Sequence, residues 1–151
     1  MSNVEQRIQQ LLTLLKIKEA DKQAALKDLA EARKQFNHLR GQLERMLQYR
    51  QEYQSQIASI GEAGCNINRM RNRLLFIEQL DEGIKQLNHQ LSVIAKQRKQ
   101  CELVLIEKQK KVQSVEKLIE ARKKSAIIAE NRLEQKENDE YASKQWYNDN
   151  S

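Results

Sequence analysis

The sequence contains no proline, and only four glycines interrupt its 151 residues. Because these two residue types are the strongest helix breakers, their scarcity favours long, uninterrupted helices. Aromatic residues make up only 5% of the chain, which leaves little material for a wide core. A chain of this composition can bury a narrow apolar stripe, but we do not expect the deep apolar pocket of a typical enzyme.

Cysteine and long apolar runs are also scarce. The two cysteines, Cys65 and Cys101, form no CxxC pattern, and we expect both to be reduced in a cytoplasmic protein. The polar N-terminus does not resemble a signal peptide. No run approaches the roughly 18 apolar residues of a membrane span, so any membrane association is expected to be peripheral or through a partner.

Charged residues, by contrast, make up 32% of the chain, and apolar residues recur between them at helical spacing. In the first half, alternating steps of four and three residues lead from Val4 to Ile60, and fourteen of the seventeen positions are apolar. This heptad pattern predicts a coiled coil, and we call its core positions the seam. The expected seam of the first helix is Val4, Ile8, Leu11, Leu15, Lys18, Lys22, Ala25, Leu29, Ala32, Phe36, Leu39, Leu43, Met46, Arg50, Tyr53, Ile57 and Ile60.

The second half carries a similar pattern with one irregularity. Two consecutive steps of three, from Leu74 to Ile77 and from Ile77 to Leu80, predict a stammer in the heptad repeat. Gly83 follows, and glycine weakens a helix. The expected seam of the second helix is Ile67, Met70, Leu74, Ile77, Leu80, Ile84, Leu87, Leu91, Ile94, Arg98, Cys101, Leu105, Lys108, Val112, Val115, Ile119, Arg122, Ala126, Ala129 and Leu133.

Together the two patterns predict an all-α fold, an antiparallel two-helix coiled-coil hairpin that forms a single domain. The expected elements are a helix over about 3–60, a bend over about 61–66, a short or distorted helix over 67–79, a long helix over 80–141, and a frayed tail over 142–151. The bend is placed at two of the four glycines.

A bend centred near residue 63 also predicts which residues face each other. Lys18 would lie near Lys108, and Val4 would lie opposite Lys123. Residues beyond about 125 would then project past the first helix without an intramolecular partner.

Charge is unevenly distributed along the second helix. Lys96 to Lys124 contains ten basic and four acidic residues, whereas Glu130 to Glu140 contains five acidic and two basic residues. The basic stretch is either a solvated helix face or a surface for nucleic acid, an acidic membrane surface or an acidic protein. Its basic residues alternate with glutamate and lack aromatic stacking partners, which disfavours nucleic acid.

Little in the sequence could support catalysis. There is no phosphate-binding loop, nucleotide fingerprint or HExxH motif. His38 and His89 lie one position off the seam and are expected to be solvated. We therefore expect a non-enzymatic protein with no cofactor and no metal.

Tyr49 and Phe76 lie outside the seam near the bend. With Met46, Leu75 and Leu80 they could form an exposed aromatic patch. Alternatively, residues 67–79 could fold over and bury these side chains.

Several stretches of the chain resemble the FliJ family, the small coiled-coil component of the flagellar type III export apparatus. The resemblance spans the whole chain, and its last stretch is not explained by heptads. The matching stretches are Leu47-Gln48-Tyr49-Arg50-Gln51-Glu52-Tyr53-Gln54, Asn68-Arg69, Phe76-Ile77-Glu78-Gln79-Leu80 with Ile84, and Ala129-Glu130-Asn131-Arg132-Leu133-Glu134-Gln135-Lys136-Glu137-Asn138-Asp139-Glu140-Tyr141.

The resemblance implies a stalk similar to that of rotary ATPases. Such proteins insert into the export ATPase ring, promote its assembly, contact the cytoplasmic linker of the membrane export gate, and bind export chaperones, in support of flagellum assembly, motility and chemotaxis. The implied gate-binding residues are Gln42, Met46, Tyr49, Tyr53, Phe76, Leu80, Gly83 and Leu87. The residues expected to contact the ATPase are Ala129, Glu130, Asn131, Arg132 and Leu133.

Two other functions remain open at this point. One is the equivalent stalk protein of a virulence secretion system, which would act by the same mechanism on other cargo. The other is a basic coiled-coil protein that binds nucleic acid through residues 96–124.

Overall fold

The computed structural model describes residues 2–62 and 67–150, and within them it contains two α-helices and no strand. Helix α1 is Asn3–Glu62 and helix α2 is Ile67–Asp149. The two helices pack against each other as an all-α hairpin, which confirms the predicted fold class. Residues 63–66, which include most of the predicted bend and Cys65, lie outside the described residues.

Helix α1 starts with a serine cap. The backbone N–H of Glu5 donates to Ser2 Oγ at 3.2 Å, and the N–H of Gln6 donates to the Ser2 carbonyl at 3.1 Å. A serine in this position satisfies an N–H group that has no partner within the helix. The carboxylate of Glu5 in the first turn also complements the positive end of the helix dipole.

Helix α2 is continuous from Ile67 through Gly83, so residues 67–79 do not form the separate short helix that was one of the two predicted forms of this segment. The burial pattern also differs from the predicted stammer. Leu74 is 49% exposed, and the half-buried residue of that turn is Arg73. Arg73 restores the regular alternation of three and four between Met70 and Leu80. The arginine can occupy a core position because its stem packs while its Nε donates to Gln56 Oε1 at 3.0 Å.

Helix α2 also continues to Asp149, so the predicted helix end at 141 and the frayed tail over 142–151 are wrong. No glycine or proline follows Gly83, and the last segment is rich in good helix formers. Asn150 ends the helix: its backbone N–H and its Nδ2 both donate to the Trp146 carbonyl at 3.2 Å.

By its internal contacts, the chain divides into two compact units. Unit 2 is Ala25–Leu105. Its core cluster consists of Ala25, Leu29 and Leu105, against which Cys101 and Val104 pack. The other buried residues of this unit are Ala32, Ile77, Leu80 and Leu87.

Contacts in unit 2 show that the helices are antiparallel but in a different register from the predicted one. A bend centred near residue 63 would place Leu74 opposite Tyr53 and Leu91 opposite Phe36. In the structure, Tyr53 packs against Phe76, and Phe36 lies beneath Arg98. The helix ends at Glu62 and Ile67 place the midpoint later than residue 63, which accounts for the small displacement at Tyr53. The long arginine side chain adds to the larger displacement at Phe36, because it reaches about one helical turn along its partner.

Unit 1 is Met1–Ala24 and Ile106–Ser151. Its most deeply buried residues are Val112, Val115 and Ile119 on α2, which are 3%, 6% and 7% exposed. On α1, Ile8, Leu11 and Leu15 are half-buried at seam positions. Neither helix, over the residues that the structure describes, has an apolar stretch long enough to cross a membrane.

Burial on α2 stops abruptly in unit 1. Ala126 is half-buried, and every described residue after it is exposed. Arg122, Ala129 and Leu133, which were predicted as seam residues, are exposed as well. We call residues 127–149 the overhang, because they form a helix without a packed partner among the described residues.

Candidate functional site

The eight predicted gate-binding residues all belong to unit 2 and form one face of it, which we call the aromatic face. Met46, Tyr53, Leu80 and Leu87 are seam residues, and Gln42, Tyr49, Phe76 and Gly83 flank the seam on one side. Two contacts across the helices show this arrangement. The rings of Tyr53 and Phe76 lie 4.6 Å apart between centroids, and a Cβ built on Gly83 would lie 3.3 Å from the end of the Met46 side chain.

The residues of the aromatic face differ in accessibility. Leu80 and Leu87 are each only 8% exposed, so they support the face from inside the seam. Tyr49 is 51% exposed and Phe76 is 39% exposed. Of the predicted patch, Tyr49, Leu75 and Phe76 are exposed, whereas Met46 is half-buried and Leu80 is buried in the seam. Residues 67–79 do not cover Tyr49 and Phe76. A partner that binds here would meet these two rings first.

A shallow groove of about 600 Å³ adjoins the aromatic face. It is lined by Tyr53, Arg69, Asn72, Arg73 and Phe76. Two aromatic rings beside two guanidinium groups suit a partner segment that carries apolar and acidic side chains together. Sequence reasoning missed Arg69 and Arg73, because arginine on a charged helix gives no signal until its position beside the rings is known.

Cross-helix polar contacts hold the helices together near this face. Arg50 forms an ion pair with Asp81, in which Nε donates to one carboxylate oxygen and the terminal nitrogen donates to the other at 3.5 Å. The hydrogen bond and the charge of Asp81 raise the pKa of the Arg50 guanidinium above its ordinary value. The pair is bidentate, so it fixes the geometry of the seam residue Arg50 and of Asp81, which lies beside the seam on the other helix.

The residues predicted to contact the ATPase lie together at the start of the overhang in unit 1. Ala129, Glu130, Asn131, Arg132 and Leu133 are all exposed. Leu133 and the other large apolar side chains of the overhang are strongly exposed. These are Ile127 at 57%, Ile128 at 52%, Leu133 at 58%, Tyr141 at 68%, Trp146 at 65% and Tyr147 at 71%.

The groups that most often carry catalysis or metals are dispersed. His38 is exposed, and its Nε2 lies 3.3 Å from Gln42 Nε2. Cys101 is a free, half-buried seam residue. Over residues 2–62 and 67–150, no three His, Cys, Asp or Glu side chains are grouped closely enough to hold a metal ion.

Comparison with known proteins identifies the family of the chain. The family model described as "Flagellar FliJ protein" matches residues 6–151. The Flagellar FliJ protein of Escherichia coli (strain K12) is 31% identical over 134 residues, which cover 89% of this chain and 91% of that protein. The Flagellar FliJ protein of Salmonella typhi is 29% identical over 134 residues with the same coverage. This chain therefore belongs to the FliJ family of flagellar proteins.

Proposed function

We propose that this chain is a non-catalytic component of flagellar protein export that connects the export ATPase to the membrane export gate. The family match over residues 6–151 carries the proposal. Both similar proteins are flagellar, which favours the flagellar system over a virulence system. Deletion of the gene should abolish swimming, and the intact chain should restore it. A deletion strain that swims normally would refute the flagellar role.

The aromatic face is the proposed contact for the cytoplasmic linker of the export gate. Its accessible rings, Tyr49 and Phe76, are supported by a well-packed seam and flanked by Arg69 and Arg73. Exposed aromatic side chains on a rigid support are typical anchors of protein interfaces. Such a contact would bring the chain to the cytoplasmic face of the membrane without a span of its own.

Substitution of Tyr49→Ala together with Phe76→Ala tests this contact. We expect the amount of the gate's cytoplasmic fragment that the chain captures to fall by roughly tenfold or more, since aromatic anchors commonly contribute at least 2 kcal/mol. The matched control is Leu47→Ala together with Leu103→Ala, which removes two exposed side chains of unit 2 outside this face and outside the predicted patch. Equal loss with both variants would contradict the assignment.

The overhang is the proposed contact for the ATPase ring, through residues 129–133. It is the long part of α2 that no other described residue covers, and its exposed Ile127, Ile128 and Leu133 offer apolar contacts. A stalk that enters a ring requires such a free helical end. Export chaperones are further proposed partners, although no particular surface of the chain is assigned to them.

Truncation after Ser125 tests the ATPase contact. We expect stimulation of ATPase ring assembly to be lost while capture of the gate fragment continues, because the aromatic face lies in unit 2. Helix content measured by circular dichroism should fall only by the deleted segment. Full stimulation by the truncated chain would overturn the assignment.

A further inference from the structure

The helix around Ile127 and Ile128 has opposite charge on its two sides. Between Lys108 and Lys124 there are seven basic and two acidic residues, and between Glu130 and Glu140 there are five acidic and two basic residues. The two exposed isoleucines lie at the change of sign, at 57% and 52% exposure. Both charged stretches belong to unit 1.

Most charged side chains of the two stretches form no ion pair with another described residue. Lys111 pairs with Glu107 and Lys124 pairs with Glu120, both in the basic stretch or at its edge. None of the five acidic residues of Glu130–Glu140 forms an ion pair with another described residue. Each stretch is therefore available to a partner of opposite charge.

One face of α2 shows the same change from basic to acidic residues along its length. Lys117, Lys124, Ile127 and Glu134 follow one another at steps of seven, three and seven residues, which places them on the same side of an α-helix. All four side chains are exposed. Glu120 lies on the same face and pairs with Lys124, so the face is net basic on one side of Ile127, apolar at the centre and acidic on the other side.

We propose that this face binds the same face of a second copy of the chain, with the two α2 helices antiparallel and the twofold axis near Ile128. In that arrangement the basic stretch of each copy lies along the acidic stretch of the other, and the isoleucines of both copies meet at the centre. Because the contact is isologous, the same row of opposite charges occurs twice, once on each side of the twofold axis.

The charge pattern favours a second copy of the chain over a partner whose charges are all of one sign. A purely acidic or purely basic partner would match one half of the face and repel the other half. A single pair of short helical faces is smaller than a standard stable interface of about 1,600 Å². The dimer should therefore be weak and should dissociate as salt is added, because exposed charges are screened.

Sedimentation velocity of the full-length chain at low salt tests the proposal. The chain should dimerise with increasing concentration, and the dimer should weaken with added salt. Glu134→Lys with Glu137→Lys places like charges along both rows and should weaken the dimer by roughly tenfold or more. Lys117→Glu with Lys124→Glu should do the same.

Mixing the two variants gives the decisive measurement. In a dimer that contains one copy of each variant, both rows again pair opposite charges, so the mixture should recover dimerisation that neither variant shows alone. The control variant Lys34→Glu with Lys85→Glu changes two exposed lysines of unit 2 outside the basic stretch and should leave the dimer unchanged. Circular dichroism verifies that each variant keeps its helices.

A chain that stays monomeric at low salt would overturn the proposal. So would a dimer insensitive to both charge reversals, or a mixture that fails to recover. This self-association concerns the isolated chain and does not rest on the proposed role in export.

Discussion

The polar seam residues of the two units differ in the contacts that they make with the other helix. In unit 2, each of the three seam arginines has a partner on the other helix: Arg50 pairs with Asp81, Arg73 with Gln56, and Arg98 lies 4.4 Å above the Phe36 ring. In unit 1, the seam lysines Lys18, Lys22 and Lys108 are half-buried, and none forms an ion pair with another described residue.

This difference indicates how each unit specifies its helix pairing. A guanidinium makes directional contacts with a carboxylate, an amide or a ring, so a seam arginine recognises one residue across the helices. An ammonium on a flexible stem reaches water and recognises no particular neighbour. Directional contacts therefore fix the helix pairing in unit 2, which carries the aromatic face. The helix pairing of unit 1 depends instead on the apolar contacts of Val112, Val115 and Ile119.

The largest expected effect comes from breaking the core of unit 2. Leu29→Ala should lower the free energy of unfolding by about 2–5 kcal/mol, because Leu29 is only 4% exposed and packs against Ala25 and Leu105. Leu26→Ala, one turn away at 37% exposure, is the matched control and should cost much less. Urea denaturation followed by circular dichroism measures both. Similar losses would show that unit 2 lacks a specific core.

A smaller effect on stability should distinguish the seam lysines of unit 1 from the seam arginines of unit 2. Lys22→Leu should raise the free energy of unfolding by about 1–2 kcal/mol, since it replaces an unpaired ammonium by an apolar side chain at a half-buried position. Arg98→Leu in unit 2 should bring little or no gain, because it also removes the contact with Phe36. Thermal denaturation measures the stability of both variants. Equal gains in stability would contradict the proposed difference between the seam lysines of unit 1 and the seam arginines of unit 2.

The smallest effect concerns Gly83, where the aromatic face approaches the seam. Gly83→Ala should increase stability by less than about 1 kcal/mol, because alanine favours the helix. Part of the gain is lost because the new Cβ would lie 3.3 Å from the terminal atoms of Met46, which must move slightly. A net loss of stability in denaturant titrations would mean that Met46 is held more rigidly than its flexible side chain suggests.

Much of the candidate site could be predicted from periodicity and resemblance. The eight residues of the aromatic face share one side of unit 2, and residues 129–133 are exposed on the overhang, but their binding roles stay predictions. Leu80 and Leu87 are buried, as their seam positions predicted. What could not be predicted is the contribution of Arg69 and Arg73, which follows only from their position beside Tyr53 and Phe76.

The sequence by itself determined the two helices, nearly all of the seam from Ile8 to Ile119, and the free end of α2, because these follow from local spacing and helix propensity. Only the tertiary structure decided that Arg73 rather than Leu74 faces α1, and which residues pair across the helices. Adjacent helical residues differ by about 100° in direction, so the position of the partner helix selects between them. Arginine can be selected over leucine when its stem packs and its polar end finds a partner such as Gln56.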